Sequence, residues 1–242
     1  MSVDERRREE IRANLAQVRD RIDRATADAG RTDQVLLVVI TKTFPASDVD
    51  ILAAEGVRDV GENRDQEARA KRAEVQFPEL RWHMVGRLQS NKAASVAQWA
   101  DVVESVDRAS LVPRLARGAD QARESRSPLE LLIQVSLDGP DAIDRGGARP
   151  PNVPGIADSI AQAGPSVRLA GVMAVAPHPD SGIDPARAFA ELAEVCAALR
   201  ADHPDATVIS AGMSGDLEAA IGAGATQVRI GGAVLGQRTR VQ

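Results

Sequence analysis

Short apolar runs alternate along the chain with longer charged, alanine-rich stretches, and the two kinds of segment carry different periods. Near the N-terminus Ile11, Leu15, Val18, Ile22 and Ala25 recur at spacings of four and three, which draws one apolar stripe along a helix and demands a surface for it to dock on. After Gly30 the apolar runs predict eight strands, at 35–41, 57–61, 81–86, 102–106, 129–136, 167–175, 207–210 and 227–231. Between them lie segments that predict helices, at 46–56, 62–76, 89–98, 108–124, 153–163, 184–201 and 214–223. Regular alternation of strand and helix implies parallel strands joined by crossovers, and continuous apolar strands fit a sheet covered on both faces.

Eight such units in 242 residues match the size of a (β/α)8 TIM barrel, so an α/β fold is expected, with residues 1–242 forming a single domain. Too few residues follow the last strand for a full eighth helix, and the N-terminal helix is the element available to cover that gap. The alternative is an open doubly wound sheet, but no GxGxxG follows a first strand to support its dinucleotide-binding form. The stretch 138–155 is rich in Gly, Pro and Asp and reads as a long loop, either a lid or a tolerant surface connection.

Composition narrows the functional classes. A formal net charge of −5 and a pI near 5.3 argue against a nucleic-acid surface, which usually carries a basic excess. No apolar stretch approaches the ~20 residues that span a bilayer. The N-terminal segment mixes charges of both signs and lacks the apolar centre of a signal peptide. One cysteine, Cys196, cannot form an internal disulfide and is read as a small buried residue. The cytoplasm is therefore the expected compartment. His83, His178 and His203 show no metal-ligand spacing with one another or with Cys196, so no metal is expected.

Of thirty basic residues only three are lysines, Lys42, Lys71 and Lys92, and lysine differs from arginine in being able to lose its proton. In a barrel of this kind functional groups come from the C-terminal ends of strands. Lys42 sits at such an end, where a partly desolvated amine can attack an aldehyde. Position alone leaves it open between that role and a strand-end lysine that snorkels to solvent. Lys71, in the charged run RDQEARAKRAE, reads as a solvated helix residue. Lys92, in LQSNKAAS, reads as following a helix start, serving an anion or nothing.

A second constellation lies near the C-terminus, in ISAGMSGDLEAAIGAG and QVRIGGAVLG. Gly212 turns the chain, Ser214 is placed to cap the next helix, and Gly231 and Gly232 allow close backbone approach to a ligand. Loops after the seventh and eighth strands of such barrels frequently hold phosphate, so the two pieces fall where one phosphate bridges them. Arg229 lies inside an otherwise apolar strand and is costly there without a partner, either a carboxylate or a ligand. Glu62 and Asn63 fall at the mouth end of the second strand, and His83, Gly86 and Gln89 around the third. His83 is expected to be a hydrogen-bonded residue of the barrel wall rather than a base.

In order, ITKTFP, GENRDQE, WHMVGRLQSNK, GVMAVAP and AGMSGDLEAAIGAGATQVRIGGAVLG resemble the pyridoxal phosphate homeostasis proteins, which have the alanine racemase N-terminal domain fold, a fold type III barrel. The resemblance spans roughly residues 10 to 240. It implies pyridoxal 5′-phosphate as cofactor, carried on Lys42 as a Schiff base. Ser214, Gly231 and Gly232 would hold the phosphate, Met213 would also contact the cofactor, Arg229 would face the pyridine nitrogen, and Asn63 would lie beside the ring. Where this chain has Gly232 the family usually has Thr. Arg64 stands where it usually has Tyr, and RGG at 145–147, beginning with Arg145, replaces its Lys-x-Gly. Lys92 and Arg87 are placed near the phosphate side by motif alone.

The racemase pattern of that fold uses a lysine and a tyrosine on opposite faces of the substrate carbanion, and this chain contains no tyrosine. An arginine at the ring nitrogen would also leave the cofactor a weak electron sink, because a guanidinium keeps its proton. The chain ends after the barrel, without the second domain that helps enclose substrate in the racemases. The resemblance therefore implies a cofactor carrier with no catalytic residues of its own, and the alternative is a racemase-like enzyme for an unidentified amino acid. Implied partners are the cofactor and apo-enzymes that require it, with no nucleic acid and no membrane. A monomer is expected.

Overall fold

The eight apolar runs are the eight strands of a closed parallel barrel in the computed structural model, which describes residues 3–122, 127–138 and 146–236. The strands are β1 (Leu36–Ile40), β2 (Asp59–Glu62), β3 (Arg81–Met84), β4 (Val102–Val106), β5 (Leu129–Gln134), β6 (Val167–Met173), β7 (Val208–Ser210) and β8 (Gln227–Ile230). Each pairs with the next in sequence, and β8 closes on β1 with Leu36 opposite Gln227 and Val39 opposite Ile230. Closure removes the unpaired edges that an open parallel sheet would leave.

The helices are α1 (Val3–Asp28), α2 (Ala46–Ala54), α3 (Asp65–Glu74), α4 (Ala93–Trp99), α5 (Val112–Ala122), α6 (Val153–Ala161), α7 (Pro185–Asp202), α8 (Leu217–Gly222) and α9 (Gly232–Leu235). Several begin later than the polar pattern predicts, because the residues after each strand make the turn at the barrel mouth before the helix starts. Glu62 ends β2, Lys92 precedes α4 instead of following its start, and Ser214 stays in a loop. At α8 the N-cap residue is Asp216, whose Oδ1 accepts from the Met213 amide at 2.6 Å, so Ser214 is not the cap.

Helix α1 fills the place of an eighth outer helix. Its stripe of Ile11, Leu15, Val18, Ile22 and Ala25 is buried, each large side chain contributing about 1.5–3 kcal/mol by leaving water. Polar contacts fix its orientation. Arg7 donates to Asp48 at the start of α2 and, at 3.0 Å, to the Leu235 carbonyl of α9. Asn14 Nδ2 donates to the Val234 carbonyl at 3.1 Å, and Arg21 pairs with Glu218 of α8. Cys196 is buried within α7, as its apolar surroundings in the sequence predict.

Of the loop at 138–155, residues 139–145, and with them Arg145, lie outside the described residues. Ala148 is tied to the end of β5, its amide donating to Gln134 O at 2.7 Å and its carbonyl accepting from Ser136 N at 2.9 Å.

Candidate functional site

The residues singled out near the C-terminal strand ends gather on four neighbouring strands, β7, β8, β1 and β2. Lys42 follows β1 and is half-buried, Asn63 follows β2 and is half-buried, and Met213 and Ser214 follow β7 and are exposed. Arg229 is buried within β8, and Gly231 and Gly232 follow it. Backbone bonds lock these ends together: the Arg229 amide donates to Gly212 O at 2.9 Å and the Thr41 amide to Gly61 O at 2.9 Å. A Cβ on Gly231 would lie 3.1 Å from the Ile40 carbonyl, so this glycine lets the β8 end pass close to the root of Lys42. At Gly232 a Cβ would meet no described residue within 4 Å, which leaves space there among the described residues. Met213, 39% exposed, is the one large hydrophobic residue exposed among the described residues.

The backbone at Lys42 is unusual. Thr43, the next residue, has φ of 69°, a left-handed conformation that a β-branched residue adopts at a cost of about 1–3 kcal/mol. Helix α3 supplies what holds it there. The Thr43 amide donates to Glu67 Oε1 at 2.5 Å, and the Thr41 carbonyl accepts from Lys71 Nζ at 2.7 Å. Lys71 is thus buried, contrary to the expectation of a solvated residue, and it pairs with the buried Glu62 at 2.5 Å. Burial pushes the Glu62 carboxyl up, against the pull of Lys71 and of Thr41 Oγ1, which donates to it at 2.7 Å. Its other oxygen, Oε2, has no hydrogen-bond partner among the described residues.

Just after β3, Gly86 lies beside Asn63. A Cβ there would stand 2.3 Å from the Asn63 carbonyl oxygen, so only glycine lets the two strand ends approach this closely.

Below the mouth, the interior of the barrel is polar along one path. Arg229 Nη1 donates to Ser210 Oγ at 2.6 Å and Nη2 to the Ala174 carbonyl at 2.7 Å. Ser210 Oγ donates onward to Glu104 Oε2 at 2.6 Å, and Gln227 Nε2 donates to Glu104 Oε1 at 2.8 Å. Glu104, on β4, lies 3.8 Å from Arg229, so the arginine has a carboxylate partner, reached mainly through a serine. His83 completes the path, with Nδ1 2.7 Å from Glu104 Oε1 and Nε2 3.0 Å from Asp59 Oδ1. Both ring nitrogens face carboxylates, so both donate and the ring is an imidazolium. Burial alone would lower the His83 pKa, but hydrogen bonds and charge from Asp59 and Glu104 outweigh it and raise the value from 6.5 to about 9. Burial likewise favours a neutral Glu104, yet His83, Arg229 and Ser210 hold its pKa below the ordinary value. Burial lowers the Arg229 pKa, opposed by Glu104 and Asp216.

His83 therefore belongs to the wall, as expected, whereas Glu104 was missed. The signal was present: a glutamate inside VVESV carries the same cost as an arginine inside QVRIG, and both need partners. Lys92 and Arg87 line different clefts. Arg87 lines a cleft of about 620 Å³ with Gln89, Arg108 and Gly146, while Lys92 lines another with Asp65 and Arg69. Both follow β3 and stand away from the β7–β8 ends in strand order.

The arrangement offers one amine and glycine-rich backbone at the mouth, with a buried donor-only guanidinium beneath them. Such a set suits a ligand with a carbonyl carbon, a basic or neutral ring acceptor and an anionic group.

Comparison with known proteins gives the same direction. The family model described as alanine racemase, N-terminal domain, matches residues 8–239. A protein of Mycobacterium tuberculosis strain H37Rv named pyridoxal phosphate homeostasis protein is 42% identical over 251 residues, covering 96% of this chain and 94% of its own. The protein of the same name from Escherichia coli K12 is 37% identical over 236 residues, covering 95% and 97%. PipY of Synechococcus elongatus PCC7942, solved with PLP bound, is 32% identical with a TM-score of 0.79 and is covered in full by 93% of this chain. Alanine racemase of Corynebacterium glutamicum, 15% identical with a TM-score of 0.63 over 97% of this chain and 62% of its own, shares the fold alone.

Proposed function

The chain belongs to the alanine racemase N-terminal domain family, in the group of pyridoxal phosphate homeostasis proteins, and from that membership we propose that it binds pyridoxal 5′-phosphate reversibly and helps control its free level or its delivery. The observation that carries the reading is the convergence of Lys42, Arg229 and the Gly231–Gly232 backbone on adjoining strand ends of one barrel mouth. Lys42 is the covalent attachment point. Its amine, once neutral, is the group that would hold the cofactor through its aldehyde carbon. The cofactor supplies the aldehyde; everything else is binding.

Arg229 would hold the ring nitrogen as a donor that cannot yield its proton, with Ser210 and Glu104 fixing the guanidinium. Ser214, Gly231 and Gly232 would hold the phosphate, Met213 would also contact the cofactor, and Asn63 would lie beside the ring. The open space at Gly232 removes one side-chain contact to phosphate and favours release over tight retention. Turnover of amino acids is not part of the reading, because the chain has no tyrosine to act opposite Lys42 and Arg229 leaves the ring unprotonated. Its recipients are apo-enzymes that require the cofactor, its setting is the cytoplasm, and it acts as a monomer. No helix of the described residues is long and apolar enough to cross a membrane.

Mixing the protein with pyridoxal 5′-phosphate, reducing with borohydride, digesting and locating the phosphopyridoxyl group by mass spectrometry tests the site. Attachment to the Lys42 peptide is expected, and attachment elsewhere or nowhere would overturn the reading. Solvent-deuterium incorporation at the α-carbon across a panel of amino acids separates carrier from enzyme, a carrier showing little.

A further inference from the structure

We infer that Glu67 and Lys71 of α3 are positioning residues for Lys42, gripping the two peptide groups that flank it so that its amine is presented to the mouth. The inference rests on the reading above that Lys42 captures the cofactor.

Three observations carry it. The grip is two-sided: Lys71 Nζ donates to the carbonyl before Lys42, at Thr41, and Glu67 Oε1 accepts from the amide after it, at Thr43. These residues are one helical turn apart, so a single rigid helix face supplies both contacts, and they lie 3.6 Å from each other. The segment they grip holds Thr43 at a positive φ, a conformation that persists only where the surroundings over-determine it. Finally, the grip is anchored from below. Glu62 Oε1 accepts from both Lys71 Nζ and Thr41 Oγ1, and Glu62 directly precedes Asn63, so the same buried pair joins the β1 and β2 ends of the site.

Burying an ion pair is poor value for stability, since a well-packed apolar pair of similar volume serves as well. A buried lysine in a chain with only three is therefore better explained by what it holds than by what it stabilises.

The experiment compares wild type, Glu62→Leu/Lys71→Met, Glu67→Ala and Glu67→Gln. The double variant removes the charges together and leaves neither buried alone. Glu67 is partly exposed, so its variants are expected to fold. Two ligands are used: pyridoxal 5′-phosphate, read as the rate of borohydride-trapped modification at Lys42, and pyridoxine 5′-phosphate, which has an alcohol in place of the aldehyde and reads the ring and phosphate contacts alone. Small misplacement of a reacting group costs up to about a hundredfold in rate, so trapping should slow by about ten- to a hundredfold in the double variant and in Glu67→Ala. Pyridoxine 5′-phosphate affinity should be unchanged, and Glu67→Gln, which keeps an acceptor for the Thr43 amide, should recover most of the rate. Unchanged trapping in both loss variants overturns the inference, as does parallel loss of trapping and of pyridoxine 5′-phosphate binding, which marks a general structural role. Wild-type protein unmodified at Lys42 would instead overturn the cofactor reading, and this inference with it.

Discussion

The buried imidazolium makes stability depend on pH in a window set by His83. The folded value of about 9 lies above the ordinary 6.5 because Asp59 and Glu104 flank the ring. Each pKa unit is worth about 1.4 kcal/mol, so the difference corresponds to about 3 kcal/mol. A group whose folded pKa is raised stabilises fully below its unfolded value, so this contribution is intact below about pH 6.5 and drains as pH rises through about 9. Glu104 works in the opposite direction: its folded pKa is lowered, so its share is present above the ordinary 4.5 and is lost as pH falls. The groups facing His83 are Asp59, which also pairs with Arg81, and Glu104, which also meets Ser210, Gln227 and Arg229.

Glu104→Gln is the decisive perturbation, because it takes one carboxylate from His83 and the counter-charge from Arg229. Removing one member of a buried charge network costs about 3–5 kcal/mol. Urea unfolding at intervals from about pH 6 to 9.5 should show wild-type stability falling across the range, and the variant, less stable throughout, falling less steeply. Histidine NMR supplies the direct readout: the His83 ring should titrate near 9 in wild type and lower in the variant. A wild-type ring that titrates at or below its ordinary value, or a flat stability profile, would refute the assignment of the charge.

Leu15→Ala, in the apolar stripe of α1, should cost about 2–5 kcal/mol in urea unfolding, since the side chain is 1% exposed and its removal leaves a cavity. Gly86→Ala forces a Cβ against the Asn63 carbonyl, so thermal unfolding should show a loss of about 1–3 kcal/mol together with weaker pyridoxal 5′-phosphate binding by visible absorbance. Gly232→Thr fills space that is open at the site and should tighten phosphate binding, measured as affinity for pyridoxine 5′-phosphate, while leaving the fold intact.

The order of strands and helices, the closing role of α1 and the candidate residues at strand ends were legible in the sequence, because each rests on a local signal. The stripe from Ile11 to Ala25 needs only the period of one helix, and the eight runs need only alternation and length. The four strand ends that carry Lys42, Asn63, Ser214 and Arg229 become neighbours once the barrel is closed in sequence order. Tertiary structure alone decided the fate of the charges. Lys71 sits among charged neighbours and has the local pattern of a solvated helix residue, yet α3 turns it inward onto Thr41 and Glu62. Glu104 and Arg229 are far apart in the chain, and β4 and β8 share no pairing; only the barrel's curvature brings Glu104 to Ser210 and Gln227. Apolar residues bury themselves by a non-directional force that composition and period reveal. A buried charge is tolerated only beside particular partners, and those partners are known only when the chain has closed on itself.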